Sequence, residues 1–261
     1  ILDCRFNLAD PAAGEQHYKR EHLPGAVYAH LDRDLSGTCI PGQTGRHPLP
    51  HPEDWQARLR DWGVNNDTTA VVYDQNNAMF AARAWWLLRW AGVARVRVLN
   101  GGLDAWQGPL QSGADSHPHR AGSIKVTCPQ DWIISGKDLQ AGLSDLTLLD
   151  ARALPRFLGE QEPLDAKAGH IPGARCADFT GNLDANGRFL KPETLASRFA
   201  SVGNRPHTVS YCGSGVTACH TILAMTLAGY PQPRLYAGSW SEWITDPQHP
   251  IETDPSKEPA L

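Results

Sequence analysis

The chain has 261 residues, 41% of them hydrophobic and 20% charged, with a formal net charge of −4 at pH 7. This balance fits one large globular domain or two small ones, and it excludes the basic excess of a nucleic-acid binder and the charge blocks of a disordered tail. No apolar run approaches the ~20 residues that span a bilayer, and no signal peptide is visible, so a cytoplasmic location is expected.

In chain order, "ILDCRF" (1–6) reads as a short strand and "EHLPGAV" (21–27) as a Pro-Gly turn. "PEDWQARLRDWGV" (52–64) opens with Pro and sets Trp55, Leu59 and Trp62 on one helical face. "AVVYD" (70–74) is β-rich, and the next helical stretch carries Trp85, Trp86 and Trp90 at core spacing. "NGGLDAW" (100–106) is followed by the polar stretch 108–123, which lacks a sustained apolar period. Its His117-x-His119 pair is too sparse for a metal site.

The same series then returns. "LLDARA" (148–153), "GHIPGAR" (169–175), "PETLASRFASVG" (192–203), "TVSYC" (208–212) and "AGSWSEW" (237–243) match the earlier segments at offsets of 137 to 148 residues. Leu195, Phe199 and Val202 repeat the helical face. A solenoid period would be far shorter, so the pattern indicates a whole-domain duplication. Strands alternating with helices predict an α/β fold with a parallel sheet flanked by helices in each copy. The expected domains are 1–108 and 124–261, joined by a linker over 109–123.

Six cysteines, at positions 4, 39, 128, 176, 212 and 219, form no CxxC pair. Zinc-ribbon and thioredoxin readings therefore lack support, and reduced thiols are expected. Cys212 stands out because its strand end meets the loop "CGSGVTAC" before a helical pattern. Its counterpart in the first copy is Asp74, so position 212 is expected at the surface or in a cleft, with a nucleophile in one copy only. Loop N–H groups and a helix dipole converging on one point stabilise a thiolate. Gly213 and Gly215 supply backbone freedom. Cys219 has no such loop and reads as an inert core residue. His170 and its counterpart His22 occur in both copies, which argues for a structural role.

A cysteine phosphatase needs Arg six residues after the Cys, where this chain has Ala218. Sulfur transfer through a Cys212 persulfide remains, and it requires no metal or organic cofactor. A non-catalytic persulfide carrier is the alternative from another class.

The tandem domains, "HLPGA" and "HIPGA", the "DAR" strand end, "CGSGVTAC" and "GSWSEW" together resemble two-domain sulfurtransferases of the rhodanese superfamily. The resemblance implies an inactive N-terminal copy and a site served by both domains. The loop itself is similar to that of 3-mercaptopyruvate sulfurtransferases, which carry Cys-Gly-Ser-Gly. Thiosulfate-specific relatives usually carry Arg-Lys after the Cys. The resemblance implies that Ser214 works with His47, in "GRHPLP", and Asp32, in "AHLDRD", both from the N-terminal half. It assigns the donor sulfur to the loop around Gly213, Gly215, Val216 and Thr217, and the donor's anionic group to Arg156. A second family arginine is expected after Glu162-Pro163, where this chain has Leu164; Lys167 or Arg175 are candidate substitutes. The implied acceptors are cyanide or a thiol such as reduced thioredoxin, and thiosulfate is the alternative donor.

Overall fold

The computed structural model describes residues 1–75, 77–114, 120–205, 207–253 and 261. His117 and His119 lie outside the described residues. The chain divides into two compact units, 1–37 with 49–129, and 38–48 with 130–261.

In the first unit, β1 (Leu2–Asp3), β2 (Val27–Tyr28), β3 (Thr69–Tyr73) and β4 (Arg95–Val98) form a parallel sheet in the order β2-β1-β3-β4. In the second, β5 (Thr147–Asp150), β6 (Arg175–Cys176), β7 (Thr208–Tyr211) and β8 (Arg234–Leu235) repeat that arrangement as β6-β5-β7-β8. Parallel neighbours need crossover connections, and helices supply them. These are α1 (Ala13–Arg20), α2 (Leu31–Asp34), α3 (Pro52–Asp61) and α4 (Met79–Trp90) in the first unit. The second has α5 (Gly136–Ala141), α6 (Leu154–Phe157), α7 (Pro192–Arg198), α8 (Thr217–Leu227) and α9 (Ser239–Trp243).

The duplicated sequence signals do duplicated work. Pro52 and Pro192 open α3 and α7, where the missing N–H costs nothing. Helix α7 ends at Arg198, so Phe199 and Val202 pack from the turn beyond it, both fully buried. Asp3 pairs with Arg5 at 2.7 Å and receives the Tyr73 hydroxyl; Asp150 pairs with Arg152, also at 2.7 Å. His22 and His170 each direct Nδ1 to a backbone carbonyl, of Tyr18 and Phe157, and stack on that same residue's ring. Their matched burial gives both histidines a packing role. Trp85, Trp86 and Trp90 are buried on α4, with Trp86 and Trp90 stacked at 5.6 Å. Among the described residues no helix is long and apolar enough to cross a membrane.

Candidate active site

Cys212 follows the fully buried strand β7, as Asp74 follows β3. Contrary to the sequence expectation of a surface or cleft position, both are buried, at 2% and 1% exposure. The reason differs between them. The Asp74 carboxylate accepts the N–H groups of Ala78, Phe80 and Ala81 at 2.9–3.0 Å, which compensates its desolvation at the start of α4. Cys212 instead lies beneath α9. Its N–H donates to Ser239 Oγ at 3.1 Å and its carbonyl accepts the Trp240 N–H at 2.9 Å. The Asp74 carbonyl likewise accepts the Leu103 N–H at 2.9 Å, so the "LDAW" and "SWSEW" segments clamp equivalent loop positions.

The two loop glycines serve different ends. Gly215 has φ +78°, and a Cβ there would sit 2.5 Å from the Ala237 carbonyl oxygen. Gly213 is not in the left-handed region; it is a close-approach position. The three nearest atoms to a Cβ built on it are Arg46 Nη2 at 3.0 Å and Arg156 Nη2 and Nη1 at 3.5 and 3.6 Å. Two guanidinium groups therefore border the loop directly beside Cys212.

Ser214 is 7% exposed and its Oγ lies 2.8 Å from His47 Nδ1, with His47 itself 6% exposed. The segment 38–48 that carries His47 packs as part of the second unit. It is pinned there at two points. The Arg46 N–H donates to Ser241 Oγ at 3.1 Å, and a Cβ on Gly45 would sit 2.3 Å from the Gly238 carbonyl oxygen. The "GSWSEW" motif thus holds both the cysteine loop and the histidine segment. Asp32 lies exposed in the first turn of α2, in the first unit. Val216 precedes α8 and Thr217 begins it.

Arg156 projects from α6 and is held by carboxylates: Nη2 donates to Glu162 Oε1 at 2.6 Å and to Asp165 Oδ2 at 3.2 Å. Arg46 Nη1 pairs with Asp165 Oδ1. Burial raises the Asp165 carboxyl above its ordinary range, and the charge of Arg46 opposes that shift. Leu164 points to solvent at 51% exposure. Arg175 donates to Ser201 Oγ, and Lys167 contributes its carbonyl to Trp240 Nε1. The second cation beside Gly213 is therefore Arg46, which the sequence reading passed over although it directly precedes His47. Ser239, Ser241 and Asp165 were also passed over, and only the repeated "GSWSEW" motif signalled the two serines.

The buried thiols elsewhere in the chain are poor nucleophiles. Burial pushes Cys128 up to about 11 and Cys176 to about 12, and it raises Cys4 well above the ordinary thiol value. Cys219 donates its S–H to the Gly215 carbonyl at 3.3 Å from inside α8.

The chain is similar to known proteins over nearly its whole length. A family model described as "Rhodanese-like domain" matches residues 1–109 and 135–246. A protein of Pseudomonas aeruginosa named "Probable 3-mercaptopyruvate sulfurtransferase" is 52% identical over 97% of this chain and 92% of its own length. The 3-mercaptopyruvate sulfurtransferase of Escherichia coli is 35% identical over 97% of this chain and 91% of its own. A thiosulfate sulfurtransferase of Cricetulus griseus is 33% identical over 97% of this chain and 86% of its own. The solved 3-mercaptopyruvate sulfurtransferase of Leishmania major superposes with a TM-score of 0.82 at 30% identity, covering 93% of this chain and 69% of that one. With two parallel four-stranded sheets of one order and a family match in each half, the chain belongs to the rhodanese-like family.

Proposed function

We propose that this protein is a sulfurtransferase that takes sulfur from 3-mercaptopyruvate and passes it, through a persulfide on Cys212, to a thiol such as reduced thioredoxin or to cyanide. The Cys212 thiolate attacks the donor sulfur. A new S–S bond forms as the C–S bond breaks, and its electron pair leaves on carbon as the pyruvate enolate. The enolate takes a proton to give pyruvate. An acceptor then attacks the outer sulfur of the persulfide and releases the Cys212 thiolate. The loop around Gly213, Gly215, Val216 and Thr217 surrounds the sulfur, and Arg156 binds the donor's carboxylate by charge-assisted hydrogen bonds.

The observation that carries the choice of donor is the 2.8 Å contact between Ser214 Oγ and His47 Nδ1. A hydroxyl backed by an imidazole can deliver a proton to a leaving enolate. The family resemblance gives Asp32 the part of supporting His47 in that relay. Thiosulfate, the second reading, leaves as sulfite and needs no such proton. Its support is the relatives named thiosulfate sulfurtransferase: a putative one of Mycobacterium tuberculosis at 41% identity, and others at 33% and below. The 52% identical relative carries the mercaptopyruvate name. This reading assumes a reducing compartment such as the cytoplasm, where thiol acceptors persist.

The test compares kcat/KM for mercaptopyruvate and thiosulfate in the same protein. Higher kcat/KM with mercaptopyruvate is expected. Higher kcat/KM with thiosulfate overturns the choice of donor, and steady turnover of neither leaves a persulfide carrier as the better description.

A further inference from the structure

We infer that Arg46 is the second donor-binding arginine of this site, acting with Arg156 on the anionic group of the sulfur donor; this deepens the reading above and rests on it. Arg46 Nη2 and Arg156 Nη1 both lie within 3.6 Å of the point where a Gly213 Cβ would stand. Neither nitrogen donates a hydrogen bond among the described residues. Other nitrogens of these groups are held by carboxylates: Arg46 Nη1 by Asp165, Arg156 Nε by Glu162, and Arg156 Nη2 by Glu162 and Asp165. Each guanidinium is thus anchored by a carboxylate and presents a terminal nitrogen toward the loop next to Cys212.

The arrangement has the features of a built anion site. A single carboxylate, Asp165, bridges both arginines with its two oxygens, which holds the two guanidinium groups side by side. Asp165 and Glu162 each have side chains only 4% exposed, which keeps the fork from swinging freely. The four charges sum to zero, so the site recognises its ligand by donor geometry more than by net field. Gly213 has no side chain to fill the gap; a Cβ would press on Arg46 Nη2 at 3.0 Å. The backbone of Arg46 is tied to Ser241, and its neighbour His47 meets Ser214, so one short segment brings both anion recognition and the proton relay to the sulfur. Position 164, expected from the resemblance to hold the second arginine, is a solvent-exposed leucine, and Arg46 takes over its task from a different part of the chain.

The experiment measures KM and kcat of Arg46→Gln and Arg46→Lys with both mercaptopyruvate and thiosulfate. It also measures transfer of preloaded sulfur from the persulfide form to cyanide. For the donor that the wild type uses better, Arg46→Gln is expected to raise KM by roughly ten- to a hundredfold, the loss of one charge-assisted hydrogen bond. Its kcat should change less than about threefold, because ground-state binding is what is removed. Transfer from the preloaded persulfide should be unchanged, and Arg46→Lys should recover part of the KM. An unchanged KM in Arg46→Gln overturns the inference. So does a fall in kcat at constant KM, which would mean that Arg46 only holds His47 in place. If the wild type prefers thiosulfate, the donor reading fails, and the thiosulfate KM of Arg46→Gln then decides the role of Arg46 by the same criterion.

Discussion

The Asp74 loop and the Cys212 loop are two versions of one device. Each follows the third strand in chain order of its sheet and leads into a buried helix, α4 or α8. In the first unit the loop is closed by its own anion: the Asp74 carboxylate takes three backbone N–H groups. In the second unit the equivalent residue is a thiol. The contrast separates scaffold from chemistry. A strand-loop-helix of this type accommodates a buried anion, and when the chain supplies a permanent one the loop is a stabilising element. When it supplies sulfur, the same fold is available for a transient anion and a persulfide. On the proposed function, catalysis comes with giving up a local interaction that the sister loop keeps.

The strongest way to break this comparison is to exchange the two residues. Cys212→Ser is expected to lower sulfur transfer by at least roughly 10³-fold with the fold intact, since an alcohol forms no persulfide. Cys212→Asp should be equally inactive yet fold, because the sister loop already houses a carboxylate. Asp74→Cys should gain no activity, as Gln75 and Asn76 replace the Gly-Ser pair that follows Cys212. Steady-state assays with circular dichroism check all three, and transfer by Cys212→Ser within about tenfold of the wild type removes the nucleophile assignment.

Next in size is Ser214→Ala. It should lower mercaptopyruvate turnover by ~10²-fold, the usual range for a lost proton-transfer group, and thiosulfate turnover by less than ~3-fold. Equal losses on the two donors would mean that Ser214 shapes the loop instead of moving a proton. Third, Asp74→Ala should cost about 1–3 kcal/mol of stability, because it leaves buried N–H groups without their acceptor. Chemical denaturation measures that loss, and a value near zero would deny the closing role given to Asp74.

A smaller effect is expected from pH. Burial lowers the His170 pKa below its ordinary value, so the folded protein holds the imidazole neutral. Protonation then favours the unfolded chain. His170 therefore contributes a falling stability as pH drops below the ordinary histidine value of about 6.5 and toward its own folded value. Melting temperatures across that window should decline, and less steeply in His170→Gln. The smallest change is expected for Cys219→Ser. A hydroxyl can donate to the Gly215 carbonyl as the thiol does at 3.3 Å, so activity should stay within about threefold.

Much of the fold was legible because it is written twice. Strand ends, the Pro-opened helices α3 and α7, and the two histidine turns repeat in the same order at similar offsets, so weak local signals reinforced each other. Cys212 stood out in the sequence through its glycine loop and its mismatch with Asp74. The burial of both residues was not, because it depends on backbone contacts from α9 and from residues 102–103, far along the chain. Arg46 was missed for a related reason. Its position beside Gly213 arises from a segment of the first half packing within the second unit, 167 residues from Gly213 and a fold contact that no local pattern encodes. Glycine at 213 looked like conformational freedom in sequence; in three dimensions it is room for a guanidinium.

The membership of residues 38–48 in the second unit has a consequence for how the protein is made and how it can be divided. During synthesis His47 and Arg46 emerge long before the loop they contact. The enclosing of Ser214 by His47 must wait for more than 160 further residues. Non-local closure of this kind slows folding and adds loop entropy only gradually with length. It also means that a cut in the linker, which looks like the natural seam, yields a C-terminal fragment that keeps Cys212 but lacks His47 and Arg46. The two sequence halves are thus not separable modules: residues 38–48 of the first complete the packing of the second unit.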